Sequence, residues 1–242
     1  MLVHGLGGTG ASIWKRQISD LAASFRVITY DLRGSGQSET TPGPYTIDLL
    51  AADLRALVET LELGRGFSLV AHSMGGSIAL AYAAAHPGDV SALVGVGAPA
   101  TFPDQARTGL EGRAQTVESE GMGAVAETVA TNGVSPTFRE GNPEEFQELI
   151  GLLASNDPAG YAAQCRALVG LEQVDRLGSI TAPTLLISGE RDGVSPPAVT
   201  QANAAAMPNG SFEIVEDCGH ILTWEKPGEL AAAAWPFLRA NA

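Results

Sequence analysis

SLVAHSMGGSIALAYAAAHP, residues 68–87, begins as a short apolar strand pattern and ends as an alanine-rich pattern with helical spacing. Between the two patterns lie a polar pair, His72 and Ser73, and two glycines. AHSMG, residues 71–75, follows the pattern G-x-S-x-G with alanine in place of the first glycine. In such a strand-to-helix turn, small neighbours allow a strained serine backbone and leave its hydroxyl above the sheet edge. The stretch predicts a serine nucleophile, against the plainer interpretation of a glycine-rich turn with an incidental serine.

Strand patterns alternate with helical patterns on both sides of this turn. The predicted strands are MLVHG (1–5), FRVITYD (25–31), GFSLVAH (66–72), VSALVGVGA (90–98), PTLLISG (183–189) and SFEIVED (211–217). Helical spacing marks residues 46–63, 77–86, 197–207 and 227–240. Strands that alternate with crossover helices predict an α/β protein, with a mostly parallel sheet and helices on both faces.

The pattern changes in the middle of the chain. Residues 101–180 contain helical segments interrupted by glycine and proline, without a convincing strand. We expect this segment to be a helical cap, inserted between a first core segment, residues 1–100, and a second, residues 181–242. An insertion at the carboxyl ends of parallel strands would cover the place where ligands bind in such sheets.

Composition excludes several classes of partner. Lys and Arg number 14 against 27 Asp and Glu, a net charge of −13, which argues against nucleic acid and against an anionic membrane surface. No apolar run reaches the roughly 18 residues of a membrane span, and the N-terminus lacks a signal-peptide pattern. Cys165 and Cys218 are expected to be free thiols. We expect a cytoplasmic protein that acts on a small molecule.

A serine nucleophile needs a base, and the chain has four histidines. His220 follows the last predicted strand, which places it on the same rim of the sheet as Ser73. His72 adjoins the serine, so its side chain leaves the strand in another direction. His86 at a helix end and His4 in a glycine-rich loop have plainer capping or structural roles. His220 is therefore the predicted base.

The histidine needs an acid that fixes its tautomer and stabilises the imidazolium. Asp192 lies in the loop after PTLLISG and is the predicted acid. Two alternatives stay open. Glu190 is closer to the strand, and Asp217 lies three residues before His220.

Two backbone N–H groups are expected to hold the oxyanion. The N–H of Met74 directly follows the nucleophile in the chain. The second donor should come from HGLGGTG, residues 4–10, whose glycines let the backbone approach a substrate, and we assign it to the N–H of Leu6. The plainer interpretation of Leu6 is that its side chain lines the pocket.

Five stretches together resemble the α/β-hydrolase superfamily. They are HGLGGTGASIW (4–14), DLRGSGQS (31–38), AHSMGGSIAL (71–80), PTLLISGERDGVSPP (183–197) and GHILTWEKPGEL (219–230). Within the superfamily the chain is most similar to 3-oxoadipate enol-lactonase-like hydrolases and esterases, with much of that match in residues 160–192. The resemblance implies the α/β-hydrolase fold, and Ser73, Asp192 and His220 stand in the chain order of its catalytic triad. It implies no metal and no cofactor.

Serine at the turn favours acyl chemistry, because aspartate would be expected there in a haloalkane dehalogenase or epoxide hydrolase. We expect hydrolysis of a carboxylic ester or lactone through an acyl-enzyme. Alternatives left open are a cofactor-free haloperoxidase or perhydrolase, a C–C hydrolase, a hydroxynitrile lyase and a non-catalytic binding protein. Four arginines of the insertion could bind a carboxylate, although solvation is the plainer role for most of them: Arg107, Arg113, Arg139 and Arg166.

The resemblance also implies a hairpin before the strand that ends in VHG, residues 3–5. The sequence has no residues to form it, so we expect the hairpin to be absent. FRVITYD, residues 25–31, would then form an exposed sheet edge, where strands pair with other chains. Because such an edge can pair with a second copy of the chain, a homo-oligomer stays an open alternative.

Overall fold

The computed structural model describes residues 1–241, so the last residue of the predicted second core segment, 181–242, lies outside the described residues. Its sheet has five parallel strands whose spatial order follows the chain. They are β1 (Leu2–Val3), β2 (Phe67–His72), β3 (Val90–Val96), β4 (Thr184–Gly189) and β5 (Gly210–Val215). Because helices also cover both faces, the predicted fold class is confirmed.

Twelve α-helices lie within residues 1–241. They are α1 (Gly10–Ile13), α2 (Ile18–Ala22), α3 (Ile47–Thr60), α4 (Met74–Ala85), α5 (Asp104–Glu120), α6 (Ala126–Gly133), α7 (Pro136–Gly141), α8 (Pro143–Ala154), α9 (Pro158–Val169), α10 (Pro197–Ala205), α11 (Leu222–Glu225) and α12 (Pro227–Asn241). Two 3₁₀ turns lie at Met122–Ala124 and Val174–Ser179. In the part of the chain described here, no helix has the length and apolar character needed to cross a membrane.

The central strands are apolar on both faces because helices cover both. In β2, Leu69 and Ala71 pack into a cluster that includes residues of α3 and α4. Val70, between them, packs into a second cluster that includes residues of α12. Side chains of a strand alternate between faces, so a sheet buried on both sides needs apolar residues at nearly every position. This is why the buried strands read as continuous apolar runs.

Residues 25–31 do not form the predicted strand. Thr29 makes one isolated bridge to Leu2, and the N–H of Leu2 donates to the carbonyl of Ile28 at 2.8 Å. The partner strand β1 is only two residues long, so the segment has almost nothing to pair with. Strand propensity expresses packing and pairing with neighbours, and Val27 and Ile28 cannot supply these alone. The strand predicted at 25–31 is therefore wrong, and the segment is an edge held by a single bridge.

Five helices, α5–α9, fill most of residues 104–169 and stand apart from the sheet order. Helices α7, α8 and α9 each begin at a proline, whose fixed φ and missing N–H suit the first helical position. The Ser135 side chain caps α7, and the Asp157 side chain caps α9. Helices α6, α7 and α8 share a small apolar core, which includes Phe146 and extends to Ile221 beside the loop after β5. The segment therefore packs directly on the rim that carries His220.

Candidate active site

Ser73 lies at the turn between β2 and α4 with a φ of 54°. Residues other than glycine seldom adopt such a φ, so the turn is strained and must be held by its surroundings. The N–H of Ser73 donates to the carbonyl of Val96 in β3 at 2.8 Å. A Cβ added to Gly75 would lie 2.4 Å from the carbonyl oxygen of His4. Close approach of the β1 loop therefore requires glycine at position 75.

The structure brings together the three side chains predicted to form a triad. His220 Nε2 lies 2.8 Å from Ser73 Oγ, and His220 Nδ1 lies 2.8 Å from Asp192 Oδ2. Ser73 follows β2, Asp192 follows β4 and His220 follows β5, so parallel strands deliver all three to one rim. With the Nδ1–H donating to Asp192, Nε2 is free to accept the serine hydroxyl proton. This arrangement can activate a serine as a nucleophile.

Asp192 is held in its charged form by its neighbours. Burial acts to raise the pKa of this carboxyl, but the charge and hydrogen bond of His220 act in the opposite direction. The backbone N–H groups of Val194 and Ser195 also donate to Oδ1, each at 2.8 Å. Together the donors and the imidazole outweigh burial, and the pKa of Asp192 is lowered. A carboxylate bonded in this way fixes the tautomer of His220.

The two alternative acids have other partners. Glu190 Oε2 accepts the backbone N–H of Asp217 at 3.0 Å. Asp217 forms an ion pair with Arg191 at 3.0 Å and accepts the hydroxyl of Thr137. The carboxyl bonded to the imidazole is that of Asp192.

His4 and His72 are buried, and their rings form hydrogen bonds with backbone groups of the site. His4 Nε2 accepts the N–H of Leu32 at 2.8 Å, and His72 Nε2 lies 3.0 Å from the carbonyl oxygen of His220. Burial lowers the pKa of His4 to about 4 and that of His72 to about 3, so both rings are neutral at pH 7. A neutral His72 donates its Nε2–H to His220 and thereby holds the backbone of the residue that faces Ser73.

The two predicted oxyanion donors have free N–H groups. Met74 is the first residue of α4, where backbone N–H groups have no partner within the helix. Leu6 lies in the loop after β1 and lines the cavity above Ser73. Within residues 1–241, neither N–H donates to a protein acceptor. Both are therefore available to a substrate oxygen.

Asn156, in the turn after α8, makes a contact that the sequence did not indicate. Its Nδ2 donates to the carbonyl of Gly7 at 2.9 Å. This bond ties the helical segment to the loop that carries Leu6. No motif surrounds Asn156 in the sequence, so only the fold shows what it touches.

The helical segment also holds the loop of His220, in a way that the sequence did not indicate. The carbonyl of Gly133, at the end of α6, accepts the N–H groups of His220 and Ile221, both at 2.9 Å. The carboxylate of Glu225 accepts the N–H of Gly219 at 3.0 Å and that of Ser135 at 2.8 Å. The position of the imidazole therefore depends on the helical segment as well as on the sheet.

A cavity of about 500 Å³ lies between Ser73 and the helical segment. Most of its wall is apolar, with Leu110 and Leu149 among the residues that the helices contribute. Arg113 of α5 and Tyr161 of α9 supply polar groups on the same side. A cavity of this size and character suits a small, largely apolar substrate.

Comparisons with known proteins agree with this geometry. Residues 1–227 match the model of the alpha/beta hydrolase fold family. The 3-oxoadipate enol-lactonase 2 of Acinetobacter baylyi is 32% identical over 220 residues, which cover 91% of this chain and 81% of that protein. A thermophilic esterase from Thermogutta terrifontis has a TM-score of 0.92 and 31% identity, covering 99% of this chain and 88% of the esterase. The enol-lactonase from Burkholderia xenovorans LB400 has a TM-score of 0.91 and 30% identity, covering 98% and 90%. The resemblance that the sequence indicated is confirmed.

Proposed function

Because the chain belongs to the α/β-hydrolase family, we propose that it is a serine hydrolase that cleaves a carboxylic ester or lactone through an acyl-enzyme. The observation that carries the proposal is the pair of 2.8 Å hydrogen bonds from Ser73 to His220 and from His220 to Asp192. The names of two similar proteins support the substrate class, since one is an enol-lactonase and the other an esterase.

In the first half of the proposed reaction, Ser73 Oγ attacks the carbonyl carbon while His220 Nε2 takes the hydroxyl proton. The charge on Asp192 stabilises the imidazolium that forms. The N–H groups of Leu6 and Met74 hold the developing oxyanion. When the tetrahedral intermediate collapses, His220 gives its proton to the leaving oxygen and the acyl group stays on Ser73.

In the second half, water attacks the acyl-enzyme and His220 acts as general base again. The acid leaves and the Ser73 hydroxyl is restored. For a lactone, the leaving oxygen remains attached to the acyl chain, so one hydroxy acid is released after both steps. The chemistry uses only groups of this chain and water.

The segment 101–180 is proposed to act as a cap that closes the site and selects the substrate, over a core formed by residues 1–100 and 181–242. Its support is the cavity between α5–α9 and Ser73. The contact of Asn156 with Gly7 and the two bonds to the Gly133 carbonyl join this segment to the reacting groups. The reaction would then depend on the core and substrate choice on the cap.

Location and assembly are part of the same proposal. A cytoplasmic location is supported by the two cysteines, Cys165 and Cys218, which are buried free thiols. Association of copies is supported by the weakly paired edge at residues 25–31.

The proposal is tested with a panel of p-nitrophenyl esters and lactones, using Ser73→Ala as the blank. We expect turnover of at least one of the two classes and its loss in the variant. Failure of both classes, together with no fluorophosphonate label on Ser73, would indicate a binding protein or another chemistry of the family. Equal turnover by wild type and variant would remove Ser73 from the mechanism.

A further inference from the structure

Helix α5 presents one face to the cavity, and that face carries a charge. Ala106, Gly109, Leu110 and Arg113 line the cavity at the spacing i, i+3, i+4 and i+7, which is one stripe of a helix. The first three are small or apolar, as expected for a cavity wall. The fourth is an arginine, at a position where an apolar residue would continue the stripe.

Arg113 lacks the carboxylate partner that its neighbours have. The chain carries 27 acidic side chains against 14 basic ones, so carboxylates are plentiful. Arg166 of α9, close by on the cap, is paired with Glu118 at 2.6 Å. Arg113 is half-buried and forms no ion pair within residues 1–241. The guanidinium of Arg113 is therefore available to bind a ligand in the cavity.

A second polar group lies beside Arg113. Tyr161 is almost fully buried and also lines the cavity, and within the described chain its hydroxyl finds no acceptor for its proton. Burial raises the pKa of Tyr161 to about 12, and the nearby Arg113 charge partly opposes this effect. The same charge acts on Cys165, whose pKa burial also raises to about 12. The guanidinium thus lies near α9, next to a hydroxyl whose proton is free to be donated.

We infer that Arg113, with the Tyr161 hydroxyl beside it, binds a carboxylate that the substrate carries in addition to its scissile acyl group. This inference rests on the proposed hydrolase function and deepens it, because it narrows the substrate class to anionic esters or lactones. A guanidinium presents two parallel donors that match a carboxylate. The remaining wall is largely apolar and offers too few donors for a phosphate dianion.

The test compares two esters of equal acyl length, mono-p-nitrophenyl glutarate and p-nitrophenyl pentanoate, which differ by a carboxylate in place of a methyl group. They are assayed with wild type, Arg113→Gln, Arg113→Lys and Arg139→Gln. Arg139 is the matched control, since it is a half-buried cap arginine that does not line the cavity.

We expect Arg113→Gln to lower the ratio of kcat/KM for glutarate over pentanoate by about 10- to 100-fold, the loss of a charge-assisted contact in a partly buried site. The change should lie mainly in KM for the glutarate ester. Arg113→Lys should recover part of this ratio, because lysine keeps the positive charge but lacks the two parallel N–H donors of the guanidinium. Arg139→Gln should leave the ratio unchanged.

An unchanged ratio in Arg113→Gln would overturn the inference, as would a wild type that hydrolyses the pentanoate ester and rejects the glutarate ester. Both results would leave the proposed hydrolase function standing. If wild type hydrolyses neither ester, the binding of glutarate is measured instead. Glutarate should then raise the melting temperature of Ser73→Ala but not that of the Ser73→Ala, Arg113→Gln double variant. Equal shifts in the two proteins would contradict a carboxylate site at Arg113.

Discussion

The two sides of the cavity are built by different means. On the core side, the backbone of three parallel strands delivers Ser73, Asp192 and His220 to one rim, and close packing fixes the turn at Ser73. On the cap side, the faces of separate helices present single side chains such as Arg113. A rim set by strand register tolerates little change, whereas a helix face can be altered one residue at a time. In the proposed function, this difference separates the reaction from the choice of substrate.

Removing one reacting group from the core side should abolish nearly all activity. We expect Ser73→Ala to lower kcat on an activated ester by several orders of magnitude, roughly 10⁴- to 10⁶-fold, because the nucleophile is lost. His220→Ala should be nearly as severe. The double variant should be no worse than either single one, since the two groups act as a unit. Additive losses in steady-state kinetics would contradict a coupled pair.

The acid on the core side should have the next largest effect. Asp192→Asn should lower kcat by about 10²- to 10⁴-fold, because the amide can donate to His220 Nδ1 and stabilise the wrong tautomer. Thermal unfolding should show that the fold survives. Glu190→Gln and Asp217→Asn are the matched controls and should keep most activity. A strong loss in either control, with Asp192→Asn active, would reassign the acid.

A link between the two sides should have a moderate effect. Asn156→Ala removes the bond to the Gly7 carbonyl and loosens the loop that carries Leu6. We expect kcat to fall by about 10-fold, with less change in KM, since the contact supports a donor needed in the transition state. The matched control is Asn209→Ala, which removes an amide bond to the Thr181 carbonyl away from the site. Equal effects of the two variants on kcat would mean that Asn156 contributes only to stability.

The smallest predicted effect concerns stability in acid. The pKa of His72 is about 3 in the folded protein, below its ordinary value near 6.5, so the unfolded chain binds more protons between these pH values. Stability from the neutral ring is complete above about pH 6.5 and is lost as the pH falls towards the folded pKa. His72→Gln should reduce the slope of the unfolding free energy by up to about 1.4 kcal/mol per pH unit.

Urea unfolding at several pH values between 6.5 and 4.5 measures this slope. His86→Gln is the control, because His86 lies half-buried at the end of α4. Parallel curves for wild type and His72→Gln would show that the buried ring does not resist protonation. His4 acts in the same direction and contributes to the slope that remains, as does the buried amine of Met1.

The features that could be predicted from the sequence are those that depend on local pattern. The turn at Ser73 is encoded by neighbouring small residues, and His220 could be placed because the ends of parallel strands share one rim. Asp192 could be preferred, but its bonds to Val194 and Ser195 appear only in the folded loop. These inferences needed no knowledge of which strands pair.

Features that depend on distant partners could not be predicted. Residues 25–31 have the composition of a strand but find only one bridge, because pairing depends on the length of β1. Asn156 acquires its contact only when α8 packs over the loop at Gly7. The sequence grouped Arg113 with three other cap arginines, and only the packing of α5 shows that it faces the cavity without an ion pair. The orientation of a helix face is a tertiary property.

The central claim is that Ser73 carries the acyl group, and peptide-mapping mass spectrometry tests it most directly. Wild type is mixed with p-nitrophenyl acetate, quenched in acid within milliseconds, and digested. We predict a mass increase of one acetyl group on the peptide that contains Ser73, formed in step with a burst of nitrophenol and absent in Ser73→Ala. Steady release of nitrophenol with no adduct on that peptide, or an adduct that persists in Ser73→Ala, would contradict the account.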